Sequence, residues 1–307
     1  MRFELTADQR DFGDSLESLL AAADTVKAAR AWAAGDHEPG LALWRRLADL
    51  GVNALLVPEA DGGLGATPVE LCVAFEALGR HAVPGPWVES VAYLQLADGS
   101  LGTVAAPPHT PYSLDADVAE QVYVAGPDGL RTATVGEEVS SVDPSRRLFA
   151  VEPAQDYDFP HRLDRAFGLA ALATSAELLG AGERVLADSV AYVKQRRQFG
   201  REIGSYQAIK HQLADVRVAL DFARPLVFGA AVKLNPRSVS AAKVQSADAA
   251  NLASRVGLQV HGAIGYTAEY DLSRWLLRIR ALQSAWGTPA RHRERLLTAL
   301  LAKRDAS

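Results

Sequence analysis

The sequence predicts a mainly α protein carrying a small β insert. Three observations lead there: apolar stripes at helical spacing up to about residue 95, a change to Pro, Gly, Thr, Val and Tyr between about 97 and 155, and Ala- and Leu-rich helical periodicity from about Asp164 onward. With 307 residues, 49% of them hydrophobic and 22% charged, the chain can bury a sizeable core in two or three parts. Its net charge of -5 argues against a nucleic-acid binder held by phosphate neutralisation.

Thr6-Ala7-Asp8-Gln9 reads as a capping box, and Phe12, Leu16, Leu19 and Leu20 then recur at helical spacing. Trp44, Leu47 and Leu50 form a second stripe ended by Gly51. The run Leu55-Leu56-Val57-Pro58 breaks into Gly62-Gly63-Leu64-Gly65, and Pro68 opens another amphipathic helix through Gly79. That glycine-rich turn lacks the Lys-Ser/Thr of a P-loop and its strand-to-helix context, so it reads as a tight connector. Cys72, the one cysteine, lies in an apolar run and reads as a small buried hydrophobe in a reducing compartment.

Residues 121–125, 130–135 and 147–151 look like short strands, with Gly126-Pro127-Asp128-Gly129 a hairpin turn between the first two. Three such strands need something to pack on. Beyond Asp164, Leu178, Val185, Val190 and Val193 share one face, and segments 205–223, 237–260 and 270–283 repeat the pattern at the length of antiparallel bundle helices. The start Met1-Arg2-Phe3-Glu4-Leu5-Thr6 lacks the basic and apolar regions of a signal peptide, and no stretch reaches the ~18 uncharged residues of a membrane span. A cytoplasmic protein with no membrane partner is expected. Seven scattered histidines without HExxH or Cys/His spacing predict no metal site.

Two polar clusters interrupt the last helical region. Lys194-Gln195-Arg196-Arg197-Gln198-Phe199-Gly200-Arg201 fits either a helix C-cap, whose cations complement the dipole, or a site for an anionic ligand gripped by arginine forks. Gln259-Val260-His261-Gly262-Ala263-Ile264-Gly265-Tyr266-Thr267 fits either a helix-ending turn or a place where backbone closely approaches a ligand.

In combination and order these motifs resemble the acyl-CoA dehydrogenase family. The resemblance spans nearly the whole chain: Phe3-x-Leu5-Thr6-x-x-Gln9-x-x-Phe12, the stretch Gly51 to Gly65, Glu70, Leu78-Gly79-Arg80, Pro84-Gly85-Pro86 and the two C-terminal clusters. It implies an N-terminal helical domain (1–96), a truncated middle β domain (97–156) and a C-terminal four-helix bundle (157–307). It implies FAD shared across a subunit interface. By that likeness Arg196 would pair with the pyrophosphate and Phe199 pack beside the adenosine part. Gln198, Tyr206 and Gln207 are other contacts of the same stretch, and Gln259, Val260, Gly262 and Ala263 form the second contact, with Ala263 in place of a usual glycine.

Two departures qualify the likeness. The family's Thr-Glu-x-x-x-Gly-Ser-Asp-like signature, which holds the flavin ring, does not occur, and segment 97–155 is short; Asp117-Val118-Ala119 and Asp143-Pro144-Ser145-Arg146-Arg147 look like the later part of that domain. The family's catalytic Glu position falls on Trp286 by ungapped counting from Tyr270. Its alternative position, on an earlier helix, falls on Ala170. Neither can accept a proton. Glu269, Glu177 and Glu183 are the nearest substitutes, and their spacing points to solvated faces. The resemblance therefore implies the shortened, non-catalytic subunit of an α2β2 acyl-CoA dehydrogenase like those of actinobacterial steroid catabolism, paired with a full-length subunit that binds most of the acyl-CoA. Alternatives are a self-sufficient homo-oligomer with an unusual base, a non-catalytic acyl-CoA or partner-binding pseudoenzyme, and a helical scaffold.

Overall fold

Thr6 opens the first helix, α1 (Ala7–Ala21), by the anticipated reciprocal pairing: its hydroxyl accepts from the Gln9 N–H while the Gln9 side chain accepts from the Thr6 N–H. The computed structural model describes residues 4–96, 99–127, 129–156, 163–267 and 269–305. Phe3, Asp128 of the expected turn, the 156/157 boundary stretch through residue 162 and the side chains of Lys303, Arg304 and Asp305 lie outside the described residues. After α1 come α2 (Thr25–Ala33), α3 (Glu38–Asp49) and α4 (Pro68–Arg80). The stripe of α3 buries Trp44 and Leu47, whereas Leu50, one residue past the helix, is exposed.

The glycine-rich turn is a connector. N–H groups of Gly63, Leu64, Gly65 and Ala66 donate to Pro58, Ala54, Val57 and Leu55 carbonyls, so none is left for a phosphate. Only glycine fits at position 63, where a Cβ would stand 2.1 Å from the Val57 oxygen.

Nearly the whole of α4 is buried, Cys72 included, because the long α5 (Leu163–Gln195) covers it. The two helices cross at Gly79 and Gly180. A Cβ on Gly79 would lie 2.0 Å from the Glu177 carbonyl oxygen, and one on Gly180 would lie 1.9 Å from that of Glu76. The backbones touch here.

A buried π-helical segment, Val88–Leu94, leads from α4 into the sheet. The insert has five strands where the sequence shows three: β1 (Gly102–Ala105), β2 (Ser113–Leu114), β3 (Gln121–Gly126), β4 (Gly129–Val139) and β5 (Leu148–Asp156), in the order β1-β3-β4-β5-β2. Only β1 and β3 pair in parallel. At four and two residues, β1 and β2 are too short to show alternation. β1 supplies the missing packing, since the Ser90 hydroxyl of the π segment donates to the Gly102 carbonyl and accepts from its N–H.

Beyond α5 stand α6 (Gln207–Lys233), α7 (Pro236–His261), α8 (Leu272–Ser284) and α9 (Pro289–Asp305). α6 continues ten residues past the anticipated end, straight through Pro225. An internal proline disfavours a helix by about 3 kcal/mol, but Val227, Ala230 and Ala231 beyond it are fully buried, and that burial outweighs the break. α9 adds a fifth helix, packed on α7. Among the described residues no helix is long and apolar enough to cross a membrane.

Arg278 of α8 ties the parts together. Its guanidinium donates to Asp143 Oδ2 (2.5 Å), Glu177 Oε1 (3.0 Å), the Val83 carbonyl (3.0 Å) and Ser145 Oγ (3.2 Å). Burial alone would raise the Asp143 carboxyl; Arg278 and the Ser145 hydroxyl outweigh it and hold that group below its ordinary value. Glu177 and Glu183 are not on solvated faces as expected. Glu177 is buried against Arg278, and Glu183 pairs with Arg217 and Arg224. Spacing shows which side of a helix a carboxylate takes, not which distant arginine meets it there.

Replacing Gly180 with Ala gains at most about 1 kcal/mol of helix propensity. It drives a methyl into backbone, so a net loss of about 1–3 kcal/mol is expected in urea unfolding. Asp115 gives the pH-dependent case. It is fully buried, accepts from Trp32 Nε1 and the Arg147 N–H, and burial pushes its carboxyl from 3.8 up to about 7. The folded state thus holds the proton that the unfolded chain has lost: the penalty is absent below about pH 4, grows as pH rises and is complete above about pH 7. Asp115→Asn should unfold at a higher temperature than the parent at pH 8, with the gap closed by pH 4.

Candidate functional site

At the end of α5 the cation-rich cluster forms a hairpin rather than a simple cap. Arg197–Gln198 and Arg201–Glu202 pair antiparallel as β6 and β7. Phe199 (φ 52°) and Gly200 (φ 81°) make the tip, consecutive positive φ values being the signature of a tight hairpin turn. This geometry leaves Phe199 92% exposed. A bare phenyl ring forgoes about 1.5–3 kcal/mol of burial, so the turn presents an aromatic surface that its own fold does not use.

Around the ring, Arg196, Arg197, Gln198 and Gln207 are exposed, and the Arg201 guanidinium lies 3.8 Å from the centre of the Tyr206 ring. Tyr206 is the N-cap of α6 and supplies no side-chain cap. The Ile209 and Lys210 N–H groups donate to the Tyr206 carbonyl, so only those of Gln207 and Ala208 lack a backbone acceptor at the positive end of this 27-residue helix. Arginine forks beside an uncapped helix start are suited to a diphosphate.

The second cluster meets the first. α7 ends at His261, and Gly262 (φ 63°) turns the chain into a short 3-10 turn through Tyr266. The His261 ring stacks on Tyr192 of α5 at 4.3 Å, which sets both clusters at one end of the bundle. Gln259, Gly262 and Ala263 are exposed, and Tyr266 is 76% exposed. Val260 is 6% exposed and packs inward, so its side chain is not offered at the surface. A Cβ on Gly262 would meet nothing within 4 Å; its glycine answers to the backbone angle, and the surface above it is open. The exposed arginines, the bare ring and the open glycine backbone fit the phosphate and adenosine end of FAD.

The loop after α8 has the opposite character. Trp286 is 0% exposed, sits at φ 55°, stacks on Tyr93 at 4.9 Å and donates from Nε1 to Glu89 Oε1 at 3.3 Å. Its N–H donates to Thr110 Oγ1 and its carbonyl accepts from His292 Nε2. Burial depresses His292 to about 4, so the ring is neutral. Lys243, fully buried, pins the last turn of α8 through the Leu282 carbonyl at 2.7 Å, and burial lowers its ammonium to about 7. Ala170 is also 0% exposed and falls in the same apolar cluster as Trp286. Both proposed base positions are thus packed hydrocarbon. Glu269 is exposed and distant in role, its carbonyl serving Arg30.

Sequence reading missed Glu89. It is 1% exposed, and burial raises its carboxyl. Nothing in its local pattern separates it from a surface glutamate; only the fold sets it beside Trp286. A cavity of about 720 Å³ opens near this loop, lined by Tyr93, His109, Phe167, Arg291 and Arg295 among others.

This helix–sheet–helix architecture, with a cationic hairpin and a glycine turn at one end of the bundle, defines an acyl-CoA dehydrogenase-like protein. Residues 6–99 match the acyl-CoA dehydrogenase N-terminal domain and residues 161–301 its C-terminal domain. The chain belongs to the acyl-CoA dehydrogenase family. It is 32% identical over 287 residues to acyl-CoA dehydrogenase IpdE2 of Mycobacterium tuberculosis, covering 86% of this chain and 88% of that one. It is 30% identical to acyl-CoA dehydrogenase FadE34 of the same organism over 84% of this chain and 42% of FadE34. Its fold matches a chain of the ChsE4-ChsE5 complex from Mycobacterium tuberculosis with a TM-score of 0.83 at 21% identity, over 98% of this chain and 99% of that one. Butyryl-CoA dehydrogenase from Megasphaera elsdenii gives 0.82 at 21% identity, over 98% and 100%.

Trp286 is a structural stopper, and truncating it to Ala should lower unfolding free energy by about 3–5 kcal/mol, the range for a buried Trp, in a urea titration followed by circular dichroism.

Proposed function

We propose that this chain is the shortened subunit of a heteromeric FAD-dependent acyl-CoA dehydrogenase, which introduces an α,β double bond into a CoA thioester while a full-length partner supplies the catalytic carboxylate. One observation carries the reading: the loop where the family places its base is sealed by Trp286, with Ala170 behind it, while Phe199 and its arginines stand uncovered at the bundle end. A chain that blocks its own base position yet keeps a diphosphate-binding surface is built to complete a site elsewhere. In an α2β2 assembly Arg196, Phe199, Gln259 and Gly262 reach the partner's flavin, which supplies the hydride acceptor for the substrate Cβ. This chain's own residues neutralise the diphosphate, cover the adenosine and exclude water from that end.

Similarity to acyl-CoA dehydrogenase IpdE2 supports the dehydrogenase activity, likeness in fold to a chain of the ChsE4-ChsE5 complex supports the heteromer, and likeness in fold to a Tcur3481-Tcur3483 steroid acyl-CoA dehydrogenase variant supports a bulky steroid-side-chain acyl group. In this reading the chain divides near 96/97 and 156/157 and works in the cytoplasm. Glu89 favours a second reading, a self-sufficient homo-oligomer, because its carboxyl lies against the residue that occupies the base position. Its burial, which raises its carboxyl, weighs against it as a base.

Co-expression with a full-length family member should give a yellow complex that oxidises acyl-CoA, and the chain alone should be colourless. Flavin with turnover in the single chain would overturn the heteromer, and a complex without flavin would leave a scaffold. Arg196→Ala, by removing a charge-assisted contact of ~1.5–3 kcal/mol, should weaken FAD retention by the complex about tenfold or more, read from flavin absorbance after gel filtration.

A further inference from the structure

His261 closes α7 where the two exposed clusters meet. Its ring stacks on Tyr192 of α5 at 4.3 Å and lies 5.4 Å from the ring of Tyr270, just ahead of α8. The main chain of each cluster starts from these contacts. The Tyr192 carbonyl accepts from the Arg196 N–H at 2.9 Å, and the Arg196 carbonyl accepts from the Ile203 N–H across the hairpin at 2.8 Å. On the other arm, Gly265 of the 3-10 turn approaches so closely that a Cβ there would stand 3.2 Å from the His261 Cβ. One residue therefore touches both the base of the hairpin and the turn that begins at Gly262.

Its own helix sets its tautomer. Nδ1 lies 2.8 Å from the Gly257 carbonyl, which can only accept, so the neutral ring carries its proton on Nδ1. Nε2 is then a bare lone pair, buried without a hydrogen bond in a residue 4% exposed. A second proton would place an N–H and a positive charge at that atom with no acceptor in reach. The titratable groups acting on these stacked rings are Tyr192 and Asp188 from α5, and Tyr270 and Asp271 from the approach to α8. Asp188 gives both oxygens to Arg184 Nε, and Asp271 pairs with Arg30. Burial, the largest effect, holds the ring below its ordinary value against the Gly257 carbonyl and the Asp188 charge, which favour the imidazolium.

We infer that the neutral His261 ring is the positioning residue that holds the Arg196 hairpin and the Gly262 turn as one surface, and that a proton on Nε2 uncouples them. What the surface grips rests on the shared-flavin reading; the coupling itself does not. The folded ring takes its proton at lower pH than the unfolded chain does, so the coupling is complete above about pH 6.5 and is lost as pH falls through the folded value.

Hydrogen exchange at the Ile203 N–H of the full chain reports opening of the hairpin. His261→Ala should speed it about tenfold at pH 7.5, through the loss of two aromatic contacts. His261→Phe keeps a ring beside Tyr192 and Tyr270 but cannot take a proton; it should match the parent at pH 7.5 and exchange about threefold or more slowly than the parent at pH 5.5. The ¹⁵N shifts of the parent imidazole at pH 7.5 should place the proton on Nδ1. In the complex with a full-length family member, FAD affinity should follow the same order, about tenfold weaker for His261→Ala at pH 7.5 and tighter than the parent for His261→Phe at pH 5.5. Exchange that responds in this way while FAD affinity does not keeps the coupling and overturns the shared-flavin reading. A proton on Nε2, exchange unmoved by His261→Ala, or His261→Phe with the pH dependence of the parent would overturn the coupling. If His261→Ala fails to fold, the comparison of the parent with His261→Phe at the two pH values decides by itself.

Discussion

The Arg278 guanidinium reaches four acceptors from three separate stretches of chain. Val83 comes from the link between α4 and the π segment, Asp143 and Ser145 from the loop before β5, and Glu177 from the centre of α5. At 2% exposure, such a cation is tolerable only because two carboxylates and two neutral acceptors replace the water it lost. The arrangement sets α8 against the sheet and against the first helices at once. It is also why Glu177 cannot serve as a wandering base: its charge is committed to Arg278.

Fixing α8 fixes the loop that follows it. Lys243 and His292, both held toward their neutral forms by burial, bond the Leu282 and Trp286 carbonyls. Between them Trp286 enters the apolar cluster at a positive φ that a bulky residue rarely adopts, its indole spread over Tyr93. The loop is therefore packed as core. Glu89 turns one oxygen to the indole, and its other oxygen is buried without a hydrogen bond.

The far end of the bundle obeys the reverse economy. Stacking of Tyr192 on His261 brings the ends of α5 and α7 together, and a two-rung hairpin then throws Phe199 and its arginines outward. Within one chain this leaves apolar and cationic surface uncovered. The molecule thus has one filled end and one open end.

Much of this was legible in the sequence. The capping residue Thr6, the three short strands and the 3.6-residue stripes of the long helices are local properties, set by neighbours a few positions away. The ordered motifs around Arg196 and Gly262 carried the family. Other features arise only when distant residues meet. Pro225 stays helical because Val227, Ala230 and Ala231 are buried; β1 exists because Ser90 binds Gly102; Glu177 is buried and Glu183 half-buried because arginines from other helices reach them. The sequence by itself determined which groups the chain owns and the periods on which its elements lie. Only the tertiary structure decided which of those groups lose water and which keep it, because desolvation depends on neighbours that no local pattern records.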